Sequence, residues 1–275
     1  MSKKDDSSIK YIGLGAAVLV GGFAIGALGV TLFDNIRDSQ PSSNGLQLVS
    51  YNAHLKEGIH RIVLTNSFYD LYTDGRSTKW QNYAINCVKK AYTDLNKYNS
   101  GIKFDIYTQN DGLLKYGFKK AETIDYMHDI PLNLTTDPLK SDDGKRSAIA
   151  ITDYQINDTT RELHNQSITV YKPYVYAIFK STGKWEDDFV PSNSYFYATL
   201  VHETMHAIGF AHQNSKDTVM YPYSGINTAH ELTDKDIEML KTYNTTFYSE
   251  TKYETPVFTE TPIEETPIEE TEMEM

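Results

Sequence analysis

Three histidines and one glutamate fall at fixed intervals in HETMHAIGFAH, residues 202–212. On a helix, His202 and His206 stand one turn apart on the same face. Two imidazoles so placed reach a single tetrahedral ion at Zn–N distances of about 2.0–2.1 Å. Glu203 projects beside the first ligand instead of toward the ion, within reach of a water on it. Gly209 follows the last turn and suits the left-handed conformation that ends a helix. The chain then reverses, which lets His212 swing back as a third ligand. Three protein ligands leave a fourth position open, the arrangement of a catalytic zinc rather than a structural one. The plain alternative is an amphipathic helix that happens to carry histidines. A bare HExxH leaves that open; Gly209 and His212 at the required offsets argue against it.

Such a site needs a helix to carry it and a body to pack that helix. Between Leu46 and Tyr248 the composition is that of an ordinary globular domain, rich in tyrosine. The periodicities predict strands over Ile59–Thr65, Lys103–Tyr107, Ala148–Thr152 and Ser167–Pro173, with one more over Tyr174–Phe179. The proline assigns Ser167–Pro173 to a sheet edge. Helices are predicted over Lys79–Tyr98, over Ser194–Ile208 carrying the histidines, and over Thr233 to about Tyr243. Strands and helices are mixed without strict alternation, which predicts an α+β domain. The single cysteine, Cys87, excludes an intramolecular disulfide. It shares one helical face with Trp80, Ala84, Ala91, Leu95 and Tyr98, the place of a small buried hydrophobe rather than of a reactive thiolate.

The two ends of the chain differ from this body. Tyr11–Phe33 is an uncharged stretch of 23 residues, about 34 Å long as a helix and enough for a ~30 Å hydrocarbon core. Lys3, Lys4 and Lys10 precede it, which places residues 1–10 in the cytoplasm and the body outside a cell membrane as a single-pass protein. The rival is a secretory signal cleaved near Ala27-Leu28-Gly29, which would release a secreted protein. Residues 34–45 read as a polar linker. Residues 249–275 repeat ETPIE and read as a disordered Glu/Thr/Pro-rich tail that cannot bury a core. The formal charge of −11 is mostly this tail: nine glutamates and Lys252 between Glu250 and Met275 give −8, leaving about −3 for the rest. No basic patch points to nucleic acid.

The residues after the histidines carry a specific resemblance. HETMHAIGFAH, VMYP and LTDKDIEMLKTY together resemble the catalytic core of matrixins, the matrix-metalloproteinase group of the metzincin peptidases. The likeness is tight over Ala198–Tyr243 and looser over Ile59–Tyr197. It implies a metzincin-like catalytic domain: a twisted mixed sheet with an antiparallel edge strand, a zinc-binding helix and a C-terminal helix. It further implies that His202, His206 and His212 bind one catalytic Zn²⁺ and that Glu203 is general base. By the same likeness Met220 forms a supporting turn beneath the metal, and Tyr221 and Pro222 wall the pocket after the cleaved bond. The substrate would be a protein or peptide, laid along an edge strand for which Ser167–Pro173 is the candidate.

Departures from the family pattern are also visible. No pro-segment cysteine is recognisable, and Cys87 lies in the wrong place for one. Pro222-Tyr223 puts a tyrosine one position early. His128-Asp129 and His164 are available for a second zinc, but surface histidines explain them more simply. Calcium sites built from backbone carbonyls leave no trace in sequence, and nothing here supports one. Two other functions compete with an exported endopeptidase: a surface binding or adhesion module that keeps the zinc without cutting, and a protease that processes its own tether or tail. The presence of Glu203 favours cutting over mere binding.

Overall fold

The computed structural model describes residues 16–20, 46–49, 53–74, 78–140, 147–173, 175, 195–224, 229–248 and 256. Its centre is a mixed sheet. In chain order the strands are β1 (Ala16–Val20), β2 (His54–Leu55), β3 (Gly58–Leu64), β4 (Ile102–Thr108), β5 (Lys119–Lys120), β6 (Asp129–Thr135), β7 (Leu139–Lys140), β8 (Ser147–Ile156), β9 (Glu162–Tyr171) and β10 (Tyr223–Ser224). The spatial order is β10-β1-β8-β9-β6-β3-β4-β5, with β2 beside β9 and β7 beside β8. From β5 across to β9 every pairing is parallel, and β8 then runs antiparallel to β9. This is the mixed α/β architecture expected of a matrixin-type domain.

Parallel neighbours need crossovers, and the longest of them is α2 (Thr78–Tyr98), which follows α1 (Asn66–Thr73) between β3 and β4. Trp80, Ala84, Cys87, Val88, Ala91, Tyr92 and Leu95 are buried on α2 at helical spacing and join one core with the sheet residues. Cys87 is therefore a core residue, as its periodicity predicts. The end of α2 is fastened to β4 by Asn96, whose amide gives to Phe104 O and accepts from Phe104 N, both at 2.7 Å. Helix α3 (Tyr195–Ile208) packs between α2 and the β8–β9 side of the sheet. Twelve of its residues are buried, so it is covered all round. Helix α4 (Asp234–Phe247) closes the domain, starting from an N-cap at Thr233.

Two sequence expectations change, and one strand is added. Ser167–Pro173 is not an edge: β9 is an interior strand between β8 and β6, and it ends at Tyr171. Pro173 lies beyond the ladder and removes no ladder N–H, so it does not mark an edge. The antiparallel strand on the site's side of the sheet is β8 instead. Strand β6, DIPLNLT, is not among the strands expected from the sequence, and it contains Pro131. Pro131 sits one residue before the pairing with β9 begins at Leu132, which makes it tolerable there. A continuous helix over Tyr11–Phe33 is not met at Ala16–Val20, where the backbone is a strand paired with β8 and β10. An apolar segment can satisfy its backbone by joining a sheet as well as by coiling. Among the described residues no helix is long and apolar enough to cross a membrane. The remainder of that span, the linker 34–45, most of Tyr174–Phe179 and, apart from residue 256, the tail 249–275 lie outside the described residues.

Candidate active site

The site grows from the end of α3. His202, Glu203 and His206 are buried, His202 and His206 one turn apart as the spacing predicts. Gly209 then leaves the helix with φ of +126°. Its N–H reaches Met205 O and His206 O, and the N–H of Phe210 reaches Met205 O at 2.9 Å, so the last carbonyls of the helix are satisfied. A Cβ here would sit 2.6 Å from Ala53 O, a second and independent reason for glycine. Residues 46–49 run antiparallel to this turn: Val49 N–H gives to Gly209 O and Ala211 N–H to Gln47 O, each at 2.9 Å. This pairing fixes the reversal that returns His212 to the helix. The short segment that makes it is the start of the body, and its pairing partner could not be read from sequence.

The three imidazoles converge. One nitrogen from each of His202, His206 and His212 lies within 4.8 Å of the others, and the ring centroids are 4.6, 5.2 and 4.8 Å apart. His202 Nδ1 is 2.6 Å from Val219 O, and His206 Nδ1 is 2.7 Å from Phe210 O. Carbonyls only accept, so both Nδ1 atoms carry the proton and both Nε2 atoms present lone pairs to the centre. Those two Nε2 atoms are 2.9 Å apart, close to the ~3.3 Å edge of a tetrahedron with Zn–N bonds of about 2.0–2.1 Å. His212 keeps an outer edge at the surface, but its Nε2 is buried without a hydrogen-bond partner. Facing lone pairs and an orphaned buried nitrogen are what a cation would satisfy. The donor set of three neutral imidazoles suits zinc. Among the described residues it is the one converging group of three or more such ligands.

Burial holds all three rings neutral. It pushes His202 down to about 4 and His212 to about 3, and His206 well below its ordinary value, with the neighbouring imidazoles adding to the last two. Neutral imidazole is the form that binds metal. Burial pushes the Glu203 carboxyl the other way, well above the usual carboxylate range, opposed by a hydrogen bond from Thr152. Its Oε1 is buried and unpartnered.

Behind the histidines, Met220 is fully buried in the core. Its carbonyl accepts from Gln213 N–H at 2.8 Å and its own N–H gives to Thr218 Oγ1 at 3.0 Å. It is thus a core methionine within a hydrogen-bonded turn. Tyr221 and Pro222 follow it, half-buried, and lead into the short strand β10. Sequence reasoning missed two residues behind the site. Asp236 on α4 accepts from Val219 N–H with both oxygens at 3.2 Å, and from Thr233 N and Oγ1. Since Val219 O in turn orients His202, the cap of α4 reaches the triad through one residue, Val219. Its signal was present, a Thr three residues ahead of an Asp before an apolar periodic run. The other is Thr152 on β8, which lies far away in sequence and carries no local signal.

His128 and His164 do not join the site. His128 is exposed and pairs with Asp125 at 2.7 Å, and His164 lies on β9.

No curated protein matches the chain. A family model described as Matrixin matches residues 69–244, a span that begins in α1 and ends in α4 and contains every residue of the site except the 46–49 strap and Ala53. The chain belongs to the matrixin family of metallopeptidases.

Proposed function

We propose that the protein is a zinc-dependent endopeptidase in which His202, His206 and His212 hold one zinc and Glu203 is the general base. The observation that carries this reading is the convergence of three lone-pair nitrogens beside a buried carboxyl with a free oxygen. Zinc bound there supplies a Lewis acid that acidifies water and polarises a carbonyl. Glu203 Oε1, unpartnered, takes the proton from the attacking water and returns it to the departing amine. Val219 O and Phe210 O hold the two helical imidazoles in the ligating tautomer throughout. In this reading Met220 supports the site from the core, and Tyr221 and Pro222, which lead into β10, wall the substrate pocket. The substrate class is an extended protein or peptide chain.

Export and tethering by the apolar segment Tyr11–Phe33 are a separate proposal, since a segment that spans a bilayer cannot at the same time pair Ala16–Val20 with β8 and β10. They rest on its length, its lack of charge and the lysines before it. The N-terminal sequence of the mature protein in cells distinguishes an intact anchor from a cleaved signal.

The test of the activity is casein hydrolysis by the purified protein, before and after chelation and after return of zinc. Loss on chelation and recovery with zinc are expected. Unchanged hydrolysis after full removal of metal would overturn the proposal. A chain that binds zinc and never cuts would favour the binding-module reading. One observation supports self-processing as a second reading: the backbone of Ala16–Val20 pairs with β8 and with β10, the two strands that border the site. Incubation of the full chain with zinc, followed by mass analysis of its ends, separates that reading from cleavage in trans.

A further inference from the structure

Glu203 is completely buried, and its two carboxyl oxygens have different surroundings. Oε1 has no partner. Oε2 lies 2.7 Å from Thr152 Oγ1, and the same hydroxyl lies 2.9 Å from the backbone carbonyl of Glu203. We propose that Thr152 is the positioning residue of Glu203: its hydroxyl pins one carboxyl oxygen and so presents the other to the reacting water. The inference rests on the reading of Glu203 as general base.

Three features support it. First, Thr152 is itself fully buried in the middle of β8, in register with Ile168 of β9, so its backbone cannot drift. Second, threonine is β-branched and stiff at χ1, which fixes the hydroxyl oxygen. The terminal torsion of a glutamate, by contrast, is broad and holds no orientation without a partner. Third, a hydroxyl has one hydrogen and two acceptors within reach here. While Glu203 is ionised, the hydrogen goes to Oε2. Once Oε1 has taken a proton, the hydrogen retains a second acceptor in the Glu203 carbonyl, so neither state leaves the hydroxyl unsatisfied. No other described protein group bonds the carboxyl. Valine at this position would keep the shape and remove that bond.

The experiment uses the full chain. In the zinc-loaded protein, Thr152→Val is expected to lower kcat about 3–10-fold with KM unchanged, the size of one lost hydrogen bond. Thr152→Ala is expected to match Val, since the hydroxyl and not the volume is at issue, and Thr152→Ser to recover most of the rate. In the metal-free protein, Thr152→Val and Glu203→Ala are expected to be non-additive in unfolding by about 3–10-fold in the equilibrium constant. Wild-type kcat in Thr152→Val, equal losses in Ser and Val, or additive unfolding effects would each overturn the proposal. If the wild type shows no chelator-sensitive hydrolysis, the protease reading fails, and the unfolding cycle still decides whether the two residues are coupled.

Discussion

The two sides of α3 near its C-terminal end are built differently. On the histidine side the backbone does the holding. Val219 O and Phe210 O set the tautomers of His202 and His206, and residues 46–49 set the turn that returns His212. On the glutamate side, one side-chain hydroxyl from a distant strand holds one oxygen, and the other is left free. The half proposed to hold the metal is thus over-determined and tolerates little movement. The proton-handling half must change its bonding during a reaction, and a single adjustable hydroxyl suits that. The difference teaches that substitution on the two sides should fail in different ways: loss of metal on one, loss of rate with metal retained on the other.

The most severe break is expected on the histidine side. His206→Ala removes a ligand and leaves Phe210 O without its donor, so bound zinc measured by elemental analysis should fall well below one per chain and hydrolysis should vanish with it. A next largest effect is expected from acid. In the metal-free protein the three imidazoles are held neutral, His202 down to about 4 and His212 to about 3, while the unfolded chain titrates near 6.5. The unfolded state therefore binds more protons below that value, and stability present above pH 6.5 is lost as pH falls toward 3. The slope reaches at most three protons, about 4 kcal/mol per pH unit. Glu203 has the opposite sign. Its folded form keeps a proton that the unfolded chain releases above about 4.5, so its contribution declines as pH rises. Denaturant midpoints of wild type and Glu203→Gln between pH 4 and 7 check both signs: the variant should gain stability with pH more steeply. A smaller effect is expected at the turn. Gly209→Ala forces a positive φ on alanine and drives Cβ toward Ala53 O, which costs about 1–3 kcal/mol of stability. Thermal unfolding measures it, and an unshifted Tm would show that the turn is not held as described.

Much of the histidine side was legible because helical period and glycine chemistry are local. The spacing of His202 and His206, the helix stop at Gly209 and the burial of Met220 all follow from a single stretch of chain. Helix α2 was legible for the same reason, its apolar face recurring every three or four residues. What could not be read depends on pairings between distant segments. The strap at 46–49, the Thr152–Glu203 bond and the interior position of β9 are set by tertiary register, to which no local pattern corresponds. The proline at 173 misled, since a proline matters only through the ladder N–H it removes, and that depends on which neighbour pairs where. At Ala16–Val20 composition favours a bilayer helix and the backbone is a strand, because both satisfy the same peptide groups.

The most direct test of the central claim measures bound zinc and peptide hydrolysis on the same preparation of Glu203→Ala. The expected result is one zinc per chain, as in wild type, with hydrolysis reduced about 10²–10⁴-fold, the usual contribution of a positioned general base. Hydrolysis at the wild-type rate by a zinc-loaded Glu203→Ala would contradict the assignment of Glu203.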